Sequence, residues 1–181
     1  MGRIIEQISS YIENGALVNI ERTNIEEENI TGFPLLVSDN LLAMSKIFDF
    51  HDEGFLVIRL KEVTDVYSEF SAFYEEVCVK EGLKKRANES PIKDVTDFVT
   101  VFRQLSTYDK FISVQCELED SELFFSIGKI LKVDEDIVHL KYFDATGAWQ
   151  NEAREIPLDK ITSVAIEDYY SNVFYKYVKQ Y

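Results

Sequence analysis

The feature that most constrains this chain is that it aligns on itself. The run Leu60-Lys61-Glu62-Val63-Thr64-Asp65-Val66 matches Leu158-Asp159-Lys160-Ile161-Thr162-Ser163-Val164 at an offset of 98 residues. Upstream, Gly32, Val37, Ser38 and Leu41 correspond to Gly128, Val133, Asp134 and Ile137 at an offset of 96, the difference being absorbed by turn lengths. A repeat of this length is one supersecondary unit used twice. The expected organisation is a first unit over 1–83, a linker over 84–90 and a second unit over 91–181. Each unit lies near the lower size at which one core supports itself, so the two are expected to pack together.

Within each unit the hydrophobic periods follow the same order. The first opens on a helix with Ile4, Ile5, Ile8, Tyr11 and Ile12 on one face and a stop at Gly15. In the second, Ser90 is placed to cap a helix, Pro91 fits its first turn, and Ile92, Val95, Phe98, Val99, Phe102 and Leu105 form the stripe. Alternating and β-branched segments then predict five strands per unit, near 16–23, 30–38, 41–49, 55–60 and 63–67, and near 110–118, 122–133, 137–144, 149–156 and 161–166. Turns as short as Asp39-Asn40 and Asp134-Glu135-Asp136, and those around Gly54 and Gly147, leave only antiparallel neighbours. An aromatic helix closes each unit, carrying Phe70, Phe73, Tyr74, Val77 and Cys78 in one and Tyr170, Phe174, Tyr177, Val178 and Tyr181 in the other.

In the second unit Gly128, Ile130, Val133, Asp134, Ile137 and Leu140 stand at the spacing of the first motif of the Sm family. With a helix ahead of five short, bent strands, the plan resembles the Sm-like variety of the small SH3-type barrel. A glycine suits that position because a strand bending sharply across a small barrel crowds any side chain at the bend. The first unit keeps Gly32, Val37, Leu41 and Met44 but has Pro34 and Ser38 where the family has Leu and Asp. The resemblance implies an α+β, mainly β fold: two tandem small five-stranded antiparallel Sm-like or SH3-like barrels, each with an N-terminal and a C-terminal helix. It also implies RNA binding, and here the residues depart from the family. Leu42 and Val138 stand at the Asn position, and of the Arg-Gly pair only Arg59 is present, without its glycine. The run from Gly128 to Asp144, followed by Ile156-Pro157-Leu158 and a Tyr-rich helix, is also similar to uncharacterised bacterial proteins, which brings no activity with it.

Charge points the same way as the missing motif residues. The chain has 33 Asp and Glu against 19 Lys and Arg, a net charge of −14. Phosphate backbones are gripped by cations, so no nucleic-acid partner is expected, and the triplet Lys84-Lys85-Arg86 reads as solvated linker. The acidity recurs at matching places, in the loop between the first and second strands of each unit. Glu26, Glu27 and Glu28 in one and Glu117, Glu119, Asp120 and Glu122 in the other are the candidate partner-binding residues, suited to steering a basic protein. The rival use of these loops is a solubilising surface. The aromatics of the terminal helix, Tyr169, Tyr170, Phe174, Tyr175, Tyr177 and Tyr181, suit either core packing or a protein interface.

Catalytic signatures are absent from the sequence: it has no Gly-rich phosphate loop, no Ser or Cys nucleophile motif and no His-Glu-x-x-His helix. His51, in Asp49-Phe50-His51-Asp52-Glu53, is the one place where imidazole and carboxylates cluster, and the polar turn is the alternative to a cation site. His139 alternates onto the same face as Lys141 and reads as a surface residue. No metal or other cofactor is expected. Cys78 and Cys116 lie in apolar stretches, as free buried thiols of a reducing compartment do. Gly2 is not followed by a Ser or Thr at position 6, which is Glu6, so a myristoylation start is not indicated. With no run long enough to span a bilayer and no apolar signal core, a cytoplasmic location away from membranes is expected. The expectation is a non-enzymatic bacterial protein-binding module, one version being an immunity-type inhibitor whose acidic loops cover the basic face of a toxin. The alternatives are RNA binding and a metal-dependent activity at His51.

Overall fold

The computed structural model describes residues 2–119 and 124–178. Helix α1 (Gly2–Asn14) is followed by strands β1 (Val18–Glu21), β2 (Ile30–Val37), β3 (Leu41–Phe48) and β4 (His51–Arg59). A 3-10 turn (Leu60–Glu62), β5 (Asp65–Tyr67) and helices α2 (Ala72–Lys80), α3 (Leu83–Ala87) and α4 (Phe98–Leu105) come next. The remainder is β6 (Ile112–Gln115), β7 (Phe125–Val133), β8 (Ile137–Tyr142), β9 (Arg154–Pro157), β10 (Ser163–Ile166) and α5 (Tyr169–Tyr177).

The ten strands form one open antiparallel sheet in the order β5-β1-β2-β3-β4-β10-β6-β7-β8-β9. This overturns the expectation of two closed five-stranded barrels. The reason is in the pairing: β4 and β10 join each other, from Ile58 opposite Ser163 to Phe55 opposite Ile166. The edge that each five-strand group needed to close on itself is thus taken by the other group.

Both groups keep the same internal geometry. A bulge falls between Pro34 and Leu36 on β2 and between Ile130 and Lys132 on β7. Two residues before each bulge stand Gly32 and Gly128, where a Cβ would run into the carbonyl oxygen of Ser45 or of Lys141 on the neighbouring strand. The crowding expected at the bend is present, although the bend belongs to an open sheet.

Strands β3 and β4 lie in the middle and are buried on both faces. Leu42, Met44, Leu56 and Ile58 face a core roofed by α1 through Ile8 and the partly buried Ile4, Ile5, Tyr11 and Ile12. The alternate residues Leu41, Ala43, Phe55 and Val57 face a second core, shared with β6, β8, β10 and the α4 residues Phe98, Val101, Phe102 and Leu105. Two satellite clusters, one holding Leu17, Phe33, Ile47, Cys78 and Leu83 and the other Phe111, Ile127 and Phe143, seat α2 with α3 and α5. Cys78 and Cys116 are buried and unbridged.

Several local expectations shift. The second unit's first helix begins at Phe98, because Asp97 provides the cap through a 2.7 Å bond from the Thr100 N–H. The Ser90 hydroxyl accepts from the Ile92 N–H within an irregular segment that Gln104 ties down by accepting from Lys93 and Asp94. Ile92 and Val95 are buried all the same. Helix α3 starts at Leu83 and runs into the expected linker as far as Ala87, and Arg86 on it is structural. The hairpin expected near Gly54 turns at Asp49-Phe50 instead, and His51 opens β4 opposite Phe48. On the closing helices Phe73 and Tyr177 face solvent. Tyr181 lies outside the described residues.

Candidate functional site

Three arginines lie at the seam where the two strand groups meet. Arg59 donates through its guanidinium to the carbonyl oxygens of Leu158 and Ile161 and lies 4.9 Å from the centre of the Phe98 ring. The Arg59 guanidinium is therefore committed to holding the sheet together. Arg86 pairs with Asp52 of β4 at 3.0 Å and with Glu167 beyond β10, while lying over the Phe55 ring at 4.4 Å. Glu167 also accepts from the Tyr108 hydroxyl, which raises the phenol to a pKa of about 12.

Arg22 brings the two acidic loops together. It leaves β1 only 2% exposed and forks onto Glu117, with Nη1 to Oε2 at 3.0 Å and Nη2 to Oε1 at 2.9 Å. Its Nε and Nη2 also donate to Glu26 Oε1 at 2.8 and 2.7 Å. Burial lowers the Arg22 pKa, but Glu117 and Glu26 more than offset this and the net shift is upward. Thr162 Oγ1 donates to Glu117 Oε2 at 2.6 Å. Glu62 is the third carboxylate, 3.9 Å from Arg22 Nη1 and 7% exposed. Its Oε2 has no hydrogen-bond partner among the described residues. Burial pushes the Glu62 carboxyl up to about 7, with Arg22 opposing the rise.

The predicted acidic residues therefore divide. Glu26 and Glu117 form the bridge through Arg22, and Glu119 pairs with Lys160 at 2.9 Å. Glu27 and Glu28 are exposed and meet no cation among the described residues. Asp120 and Glu122 lie outside the described residues. Paired carboxylates hold their loops in place, and the exposed pair supplies unneutralised charge on the same face.

Beside this loop runs a groove of about 440 Å³, bounded by Glu26, Glu28 and Asn29, by Lys46, Phe48 and Asp49 at the end of β3, and by Tyr74 of α2. Asp49 and Phe50 form the two-residue turn of the β3–β4 hairpin with φ of 45° and 64°. Both angles are positive, as tight antiparallel hairpins require, though neither residue is the preferred glycine. The turn leaves Phe48 64% exposed at the rim. Asn29 is fixed by its 2.7 Å bond to the Tyr67 hydroxyl. Glu26 being held by Arg22, two carboxylates, Glu28 and Asp49, stand against the one ammonium of Lys46, and with the exposed ring they suit a cationic aliphatic side chain better than an anion.

His51 is exposed, and its Nδ1 donates to the Asp49 carbonyl at 2.8 Å. His139 sits partly buried between Asp134, at 2.9 Å, and Glu155, at 3.6 Å. Among the described residues no group of three or more His, Cys, Asp and Glu side chains is placed to hold a metal ion, and no helix is long and apolar enough to cross a membrane. Sequence reasoning missed Arg22 and the groove. The signal for Arg22 was its i,i+4 spacing to Glu26; for the groove it was an aromatic run, Phe48-Asp49-Phe50, too short and polar to be core. Comparison with family models, curated proteins and solved structures found no match to this chain.

Proposed function

We propose that this protein is a binding module for a basic segment of another protein, received in the groove between the Glu26–Asn29 loop and the end of β3. The observation that carries this reading is the coincidence, on one rim, of exposed Glu28 and Asp49 with an exposed Phe48. The carboxylates steer a cationic chain and the ring supplies apolar contact once it arrives. The Arg22 bridge preorganises the loop from beneath, which lowers the ordering cost of binding. A partner whose own basic face serves a polyanionic substrate is inhibited by being occupied in this way.

The test uses Lys- and Arg-rich peptides and their acidic counterparts, titrated against the intact protein at several salt concentrations. Basic peptides are expected to bind, with affinity falling as salt rises. E27K/E28K is expected to slow association and F48A to speed dissociation. Binding that ignores salt and is unchanged in both variants, or a preference for acidic peptides, sinks the proposal.

A further inference from the structure

The strand order runs through the same five-strand pattern twice, and the two groups meet where β4 pairs with β10. The outer edges of the sheet are therefore second copies of those two edges. Strand β5 holds in the first group the place of β10 in the second, and β9 holds the place of β4. A chain of this design carries both halves of its own seam at opposite ends. Nothing in the strand order alone stops identical chains from adding head to tail, since a heterologous contact that does not close propagates.

Specific residues block each end. At β5, Val66 lies opposite Ile20 of β1, just as Val164 lies opposite Val114 of β6. Val164 is also the residue that meets Val57 across the seam. The matching groups on Val66 are already taken: its N–H donates to Asp65 Oδ1 at 2.8 Å and its carbonyl accepts from Gln7 Nε2 of α1 at 2.8 Å. At the other end, Arg59 of β4 lies opposite Leu41 and gives its N–H to the Thr162 carbonyl across the seam at 3.3 Å. The residue in that place on β9 is Pro157, opposite Ile137, and proline has no N–H to give.

We infer that Gln7 with Asp65 at one edge, and Pro157 at the other, hold the sheet at ten strands by denying further chains the contact that joins β4 to β10. Two variants each open one edge: Q7A/D65A frees β5 and P157R restores the donor on β9. Because the contact needs one edge of each kind, neither variant is expected to assemble alone, and an equimolar mixture is expected to double the mass seen by analytical ultracentrifugation. Combining the three substitutions in one chain is expected to give longer assemblies. Circular dichroism checks each fold; if Q7A/D65A loosens α1, D65A alone frees the Val66 amide and replaces it in the mixture. A folded mixture that stays at the mass of one chain overturns the inference. So does a wild-type assembly whose β5 and β9 amides gain protection from hydrogen exchange.

Discussion

Glu62 shows how a single residue can set the pH response of the molecule. It is one of three carboxylates around Arg22, and the guanidinium's fork is already filled by Glu117 and Glu26. Its folded-state carboxyl titrates near 7 against an ordinary 4.5, burial being the main cause. A raised carboxyl means that the folded state holds its proton where the unfolded chain has lost it. Stability is then expected to fall as pH rises from 4.5 to 7, and to level off above. E62Q removes the titration: at about pH 8 it is expected to be more stable than the parent by on the order of 1–3 kcal/mol, the gain shrinking towards about pH 5. Urea denaturation at the two pH values checks this, and a variant that is less stable at the higher pH shows that the Arg22 pairing outweighs desolvation. Arg22 has the opposite sign while its partner carboxylates Glu117 and Glu26 are ionised. R22M strands Glu117 and Glu62 in a buried site and is expected to cost about 3–5 kcal/mol by the same measurement.

At the scale of elements, the strands follow from alternation and their bends from glycine. The pair Gly32 and Gly128 could be read from the self-alignment before any strand was placed, and the structure gives each the same reason, a carbonyl oxygen of the next strand where a Cβ would stand. G128A is expected to destabilise by at least about 2 kcal/mol in urea unfolding, since backbone rather than a mobile side chain must give way. Helix starts were less legible. Ser90-Pro91 has the composition of a helix start, yet the helix begins seven residues past Pro91, because Asp97 caps α4 while Gln104 secures the preceding loop. D97A is expected to cost about 1 kcal/mol, read from the thermal midpoint. The turn at Asp49-Phe50 was hidden for a similar reason: Asp tolerates a positive φ but Phe50 does not advertise one, and contacts such as Phe50 on Tyr74, 4.4 Å between ring centres, help to hold it.

For the whole molecule, the position of β3 and β4 between two cores predicts one cooperative unit. Phe55 is fully buried and belongs to a core whose other members come mainly from the second strand group, although it is encoded in the first. F55A is expected to cost about 3–5 kcal/mol and to lower both halves together. The single tryptophan, Trp149, reports on the second half, while circular dichroism reports on both. Coincident transitions by the two probes are expected, and separated ones show that the halves unfold independently. A fragment of residues 1–83 exposes Leu41, Ala43, Phe55 and Val57 and is expected to aggregate rather than fold.

The sequence by itself determined the strands in outline, the antiparallel pairing of those joined by short turns, the two bends and the matched placement of the acidic loops along the chain. These follow from local signals: side-chain period, turn length, and a glycine where nothing larger fits. The tertiary structure alone decided that the groups join edge to edge instead of each closing. A strand edge offers the same N–H and C=O groups to any partner, so local pattern cannot name which one it takes. The same holds for the charges. Glu26, Glu27 and Glu28 are alike along the chain, but Arg22 claims one of them with Glu117 of the other loop and leaves the remaining two exposed. That division depends on contacts nearly a hundred residues apart, which only the folded chain brings within hydrogen-bond reach.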